Sequence, residues 1–298
     1  MKKDYLIKFM TRSGSLRGTA AIVTETLREL VRRHDLWPTA AVALGRSVAG
    51  CACMAGLLKD DASRISLKFE GDGPLRKILV EGGHDGTLRG AVGDAHVELK
   101  PEEGRLDVAG ALGRVGTLTV IRDPGHGPPY TGKVPLVSGE IGEDLAWYLA
   151  DSEQIPSAVS VGVGVDSTGI AAAGGFILQS LPPVDEAAIE QVMRRLETLP
   201  PLSGLLAAGE TPEMLVARIL ADLPYEILEI RPLRFGCTCS RARIESLLLS
   251  LGVAEIRRMA QEMETTEVTC EFCREHYAFT ALELQALVAQ TGPPRGSA

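Results

Sequence analysis

Apolar and polar positions change period several times along the chain. "YLIKFM" and "RGTAAIV" read as strands. In "ETLRELVRRH", Leu27, Leu30 and Val31 share one helical face, and Thr24 is placed to cap the helix start. "WPTAAVALGRSVAGCACMAGLLKD" follows, with Pro38 suited to a first turn and a run of small residues suited to a closely packed, buried helix. "RISLKFEG" alternates Ile65, Leu67 and Phe69 with polar neighbours; Asp72 to Pro74 form a turn, and "LRKILVEGG" returns. "TLRGAV", "AHVELK", "RLDVAG" and "GTLTVIRD" continue as short strands. "GEDLAWYLADSEQ" reads as a helix, and "AVSVGVGVDSTGIAAAGGFILQS" as a hairpin ending in a buried strand. The pattern predicts an α+β protein whose N-terminal mixed α/β domain spans 1–181 and is not a doubly wound nucleotide fold.

The pattern shifts at Pro182-Pro183. "VDEAAIEQVMRRLETL" is a helix capped by Asp185, with Ile189, Val192 and Leu196 on one side, and Thr211-Pro212 open a second helix. Prolines punctuate 182–232, which reads as a helical linker with little core of its own. A small C-terminal domain then covers 233–298. Ile244, Leu247, Leu248 and Leu251 recur at helical spacing, as do Val253, Ile256, Ala260 and Met263. "VTCEFCREHYAF" suggests strand, turn and strand, and Thr280 with Glu283 makes a capping box for a last helix. The tail "TGPPRGSA" is expected to be disordered.

Composition narrows the function. The 298 residues carry a formal charge of -8, and aromatics are only 4%. Neither favours a polyanion-binding or base-stacking surface. The basic start "MKKDYLIKF" is followed by no apolar leader core, and no run of about 20 apolar residues stands out. These features point to the cytoplasm, with no membrane partner. Six cysteines in a reducing compartment favour metal or redox chemistry over structural disulfides.

Four of the six stand in two tight pairs, Cys237-x-Cys239 and Cys270-x-x-Cys273, separated by the 30 residues from Ser240 to Thr269. A domain this small needs a cross-link, and four thiolates match tetrahedral zinc. His276 lies three residues after Cys273 and reads as a neighbour of the site rather than a ligand. Each pair is also close enough for a local disulfide. A disulfide sulfur is a poor metal ligand, so oxidation would remove the site. Structural zinc supplies about 10–16 kcal/mol of apparent binding energy in finger peptides, whereas very short disulfide loops return little through chain entropy. The domain would then unfold, making a redox-controlled fold switch.

With these cysteines and "HYAF" after them, the chain resembles the heat-shock protein 33 family of redox-regulated holdase chaperones. "RRHDLWPTAAVALGR", "FEGDGPL", "YTGKVPLVSGEIGEDLAWYLADSEQIPSAV" and "AAGGFILQ" carry the resemblance through the N-terminal domain. The resemblance implies an inactive reduced state with Zn2+ on Cys237, Cys239, Cys270 and Cys273. It implies activation by pairing Cys237 with Cys239 and Cys270 with Cys273, release of zinc, and unfolding of this domain and of the metastable linker 182–232. It further implies homodimers that hold unfolded client proteins without ATP and without being an enzyme. Cys51 and Cys53 lie outside this pattern and read as small buried hydrophobes on a helix.

Two rivals remain. A zinc-dependent nucleic-acid-binding protein would carry a basic patch, but residues 231–298 hold 8 Arg, no Lys and 8 Glu. An enzyme would carry a catalytic motif, and none of the familiar hydrolase, metalloprotease or phosphate-loop patterns is present. His126 sits in a Gly/Pro-rich loop. The remaining enzymatic reading is a thiol-disulfide oxidoreductase.

Overall fold

A computed structural model describes residues 3–101 and 104–290. The chain divides into two units, Met1–Gly236 and Cys237–Ala298. The tail expected to be disordered, 291–298, lies outside the described residues.

The first unit opens with the hairpin β1 (Tyr5–Thr11) and β2 (Leu16–Ile22), followed by helices α1 (Thr24–His34) and α2 (Pro38–Gly56). Strands β3 (Arg64–Gly71), β4 (Lys77–Gly83) and β5 (Thr87–Val92) form a meander. Next come α3 (Val108–Leu112), β6 (Gly116–Asp123), β7 (Tyr130–Pro135) and α4 (Gly142–Asp151). The hairpin β8 (Ser157–Asp166) and β9 (Gly169–Ser180) leads into α5 (Glu186–Glu197), α6 (Leu202–Ala207) and α7 (Pro212–Leu220). Strands β10 (Tyr225–Pro232) and β11 (Arg234–Phe235) close the unit. One sheet has the order β10-β1-β2-β9-β8, the other β11-β5-β4-β3-β6-β7. The mixed α+β character read from the sequence holds.

Helix α2 explains why small residues run around its whole circumference. It packs against β2, β8 and β9 of one sheet and β3, β4 and β5 of the other, so no face reaches water. A Cβ at Gly45 would lie 2.7 Å from Val163 Cγ2, and one at Gly50 would lie 2.3 Å from Leu145 Cδ1. By length and composition α2 is apolar enough to cross a membrane, but 94% of its apolar window is buried inside the protein. It is a core helix.

The first sheet is covered on its other face too. Ile7, Phe9, Leu16, Ala20, Phe176 and Leu178 form a second core with Val192 of α5, Leu205 of α6 and Leu215 and Ile219 of α7. This is why β9 is buried along nearly all its length rather than at alternate positions.

Capping residues behave as the sequence suggests at three helices. Asp185 accepts the N–H of Ala188 at 3.0 Å, and Thr211 that of Met214 at 3.3 Å. Thr280 and Glu283 cap reciprocally: the Thr280 N–H reaches Glu283 Oε2 at 2.8 Å and the Glu283 N–H reaches Thr280 Oγ1 at 3.3 Å.

Three expectations change. Thr24 does not cap α1; its hydroxyl accepts the Ala173 N–H at 3.0 Å. The cap comes instead from Asp4, whose carboxylate accepts the N–H groups of Glu25 and Thr26 at 3.0 and 2.7 Å. "AHVELK" and "RLDVAG" are not strands. The Ala95 carbonyl accepts from Trp37 and Leu99 donates to Thr39, which ties the first segment to the start of α2. Asp107 accepts the Gly110 N–H at 2.6 Å and nucleates α3 in the second. The stretch 182–232 is not helical throughout: 225–232 is strand β10, antiparallel to β1 from Thr11↔Tyr225 to Tyr5↔Pro232. Its helices complete their core against the sheet.

The second unit contains α8 (Arg241–Ser250), α9 (Val253–Glu262), the hairpin β12 (Thr265–Thr269) and β13 (His276–Thr280), and α10 (Ala281–Gln290). Ile244, Leu248, Ile256, Ala260, Phe279, Leu284 and Val288 form its core. Leu247 and Leu251 share the helical spacing but stay outside this core, both more than half exposed.

Asp4→Ala removes two charge-assisted bonds from the start of α1. It should destabilise the protein by about 1–2 kcal/mol, read as a lower urea midpoint. Asp4→Asn keeps an acceptor and should lose less.

Candidate metal centre

The two cysteine pairs are presented by different local structures. Cys237 and Cys239 lie on the extended stretch just before α8, which Ser240 caps by accepting the Arg243 N–H at 3.3 Å. Arg243 Nη1 donates to Thr238 Oγ1 at 3.0 Å and holds the intervening residue. Arg241 stacks its guanidinium 4.3 Å from the centre of the Phe279 ring and donates to the Ala278 carbonyl and to Glu283. It thereby anchors the first pair's helix to β13 and α10.

Cys270 and Cys273 form the turn between β12 and β13. The Cys270 N–H donates to the Glu275 carbonyl and the Arg274 N–H to the Cys270 carbonyl, each at 2.9 Å. Arg274 takes the left-handed conformation, φ 61°, that lets the chain double back so tightly.

The four sulfurs converge, all within 4.8 Å of one another. The Cys237 and Cys270 sulfurs are 3.7 Å apart, and those of Cys239 and Cys273 3.2 Å. Zinc–sulfur bonds of about 2.3 Å at tetrahedral angles require sulfurs about 3.8 Å apart. The spacing and the soft all-sulfur donor set both fit such an ion. His276 is not drawn in: its Nδ1 lies 3.0 Å from Oγ1 of Thr269, its cross-strand partner in the hairpin.

The protons of this cluster are unevenly placed. Burial works against a thiolate at Cys237, but the Cys239 backbone N–H and hydrogen bonds from the neighbouring thiols outweigh it and bring the group down to about 7. Burial pushes Cys239 up, partly offset by the Tyr277 hydroxyl, which donates to its sulfur at 3.1 Å. Burial and the surrounding sulfurs push Cys273 well above the usual thiol range, against a backbone N–H from Glu275. Several such thiolates can coexist only beside a cation.

Comparison with known proteins decides the family. The family model described as Hsp33 protein matches residues 4–280. The chain belongs to the Hsp33 family. It is 48% identical over 294 residues to the 33 kDa chaperonin of Citrifermentans bemidjiense, covering 98% of this chain and 99% of that protein. It is 49% identical over 285 residues to that of Geobacter sulfurreducens, covering 95% and 94%. The crystal structure of the 33 kDa chaperonin (heat shock protein 33 homologue) from Thermotoga maritima superposes with a TM-score of 0.90 at 35% identity, over 97% of this chain and 99% of that one.

The other two cysteines of this Hsp33 chain are not drawn into the cluster. Cys51 and Cys53 are fully buried in α2, roughly 200° apart around the helix. Burial pushes Cys53 up to about 12 and Cys51 higher still, so both stay neutral thiols. Reading the sequence missed Tyr277, Arg241 and Arg243 as supports.

Cys270→Ser should weaken zinc binding and loosen the second unit without any oxidant, measured by chelator competition and circular dichroism. Tyr277→Phe keeps all four thiols and loses one donor to sulfur; it should weaken zinc about tenfold, toward the low end of second-shell effects. Unchanged zinc affinity in Cys270→Ser would exclude a four-thiol site.

Proposed function

We propose that this Hsp33-family chain is a cytoplasmic, redox-regulated, ATP-independent holdase rather than an enzyme. The observation that carries this reading is the convergence of two separate cysteine pairs, from two different turns, onto one point. Bound there, Zn2+ would cross-link Cys237, Cys239, Cys270 and Cys273 as thiolates and stabilise the second unit.

The chemistry of the switch lies in the chain's own sulfurs. Peroxide takes two electrons from each pair: two thiols become one disulfide, the O–O bond breaks, and two waters leave. Cys237 pairs with Cys239, and Cys270 with Cys273. Neither product retains a thiolate for a metal, so the start of α8 and the β12–β13 turn come apart. The small core around Ile256 and Phe279 then holds the unit alone.

The linker 182–232 follows. Its helices α5–α7 are held by apolar contacts to one sheet face, so their release uncovers Phe9, Phe176 and Leu178 together with their own buried faces. Such a surface would bind unfolding clients and support homodimers. Neither nucleic acid nor membrane is a partner in this reading.

The test is zinc release, followed with a chromophoric chelator, beside light scattering of a thermally unfolding client during peroxide treatment. Zinc should leave as scattering suppression appears, and the reduced zinc-loaded protein should not suppress it. Equal suppression by both forms would sink the switch.

A further inference from the structure

Residues 225–236 step from one sheet of the first unit to the other. Strand β10 ends the first sheet beside β1, and β11 ends the second, running parallel to β5 as Arg234↔Thr87 and Phe235↔Leu88. The chain is bolted down over very few residues at this step. The Leu233 N–H donates to the Asp4 carbonyl at 2.9 Å. The Arg234 N–H donates to the Gly86 carbonyl and the Gly236 N–H to the Leu88 carbonyl, each at 3.0 Å. Leu233 is buried in the main core, and Phe235 packs against it. Arg33 of α1 lies over the Phe235 ring, 4.7 Å from its centre, and is itself paired with Glu29 at 2.6 Å.

Arg231 fixes the near side of the step. It is buried at the end of β10, where Nη1 donates to the Ala55 carbonyl at 3.3 Å, Nε to Glu229 at 2.7 Å and Nη2 to His84 Nε2 at 3.0 Å. A guanidinium only donates, so His84 accepts through Nε2 and turns its Nδ1 to Asp61, 3.1 Å away. The β4–β5 turn closes on the same point: Gly86 has φ 77°, and a Cβ there would collide with the Pro232 carbonyl oxygen. All these partners belong to the first unit, and Cys237 is the next residue in the chain.

We infer that residues 231–236 form a clamp that holds β10 on its sheet independently of the metal centre. Departure of β10 is then a separate and later step than melting of the second unit. An edge strand frays from its ends. The Tyr225 end of β10 is tied down by the Arg12 N–H, which donates to the Pro224 carbonyl at 2.8 Å. The Pro232 end is tied down by the clamp. Fraying that enters from Cys237 must first break the β11–β5 pairing and the Arg33–Phe235 stack, and then the bonds of Arg231. That the clamp sets the delay before clients bind rests on the holdase reading above. That it holds β10 does not.

The experiment is hydrogen exchange, read by mass spectrometry, on the full-length reduced protein before and after zinc is stripped with a chelator. Neither oxidant nor client is present, so its outcome is separate from that of the redox switch. On stripping, the wild type should lose protection across 241–290 and keep it across 225–232. Phe235→Ala removes the ring from Arg33 and from the core, and should make 225–232 exchange at least about tenfold faster once zinc is gone. Arg33→Met leaves the ring covered and removes only the cation; it should shift exchange the same way by a smaller factor, and it carries the test if Phe235→Ala fails to fold. Loss of protection at 225–232 in the stripped wild type, in step with 241–290, would overturn the clamp. Unchanged exchange there in both variants would overturn it too. With peroxide and a thermally unfolding client, Phe235→Ala should shorten the lag between zinc release and suppression of scattering about threefold, at an unchanged rate of zinc release. An unchanged lag would overturn the clamp's control of activation. Failure of wild type and variant alike to suppress scattering would sink the holdase reading, and the exchange result would still decide the clamp.

Discussion

The crowding of four sulfurs within 4.8 Å is the constraint on which the second unit depends. Its elements are short, its core is built from a handful of side chains, and α8 turns Leu247 and Leu251 outward rather than into that core. Units of about 60 residues bury too little apolar surface to be more than marginally stable. The cysteines join what the small core leaves loose: the chain before α8 and the turn of the β12–β13 hairpin. The same crowding is unfavourable without a cation. Cys237 is drawn toward the thiolate while Cys273 is pushed away from it, so the cluster cannot ionise as a whole on its own. In the proposed switch, structure and sensitivity therefore have one source. Whatever removes the thiolates removes the cross-link.

The stretch between the two cores shows a related economy. Helix α5 packs on α7, and the apolar faces of α5, α6 and α7 are completed by β1, β2 and β9 in one shared core. A segment with its own core could detach and stay folded. A segment with a borrowed core uncovers two apolar surfaces when it leaves, its own and the sheet's. Pro200, Pro201 and Pro212 keep these helices short, which limits what each could retain alone. The proposed linker thus combines weak local stability with a large hydrophobic consequence of release.

How much of this the sequence disclosed depends on how local each signal is. The meeting of Cys237, Cys239, Cys270 and Cys273 at one point was legible because their chemistry and spacing are written in two short strings. Asp185, Thr211 and the Thr280–Glu283 box were legible because a cap and its helix are adjacent. Asp4 was not, since its partners Glu25 and Thr26 are brought to it only by the β1–β2 hairpin. Strand β10 was missed for a different reason. It is an edge strand with Ile227, Leu228 and Ile230 all substantially exposed, so it lacks the alternation that marks a half-buried strand. Tyr277 gave no signal of its own, because a hydroxyl aimed at a sulfur is visible only after the hairpin folds.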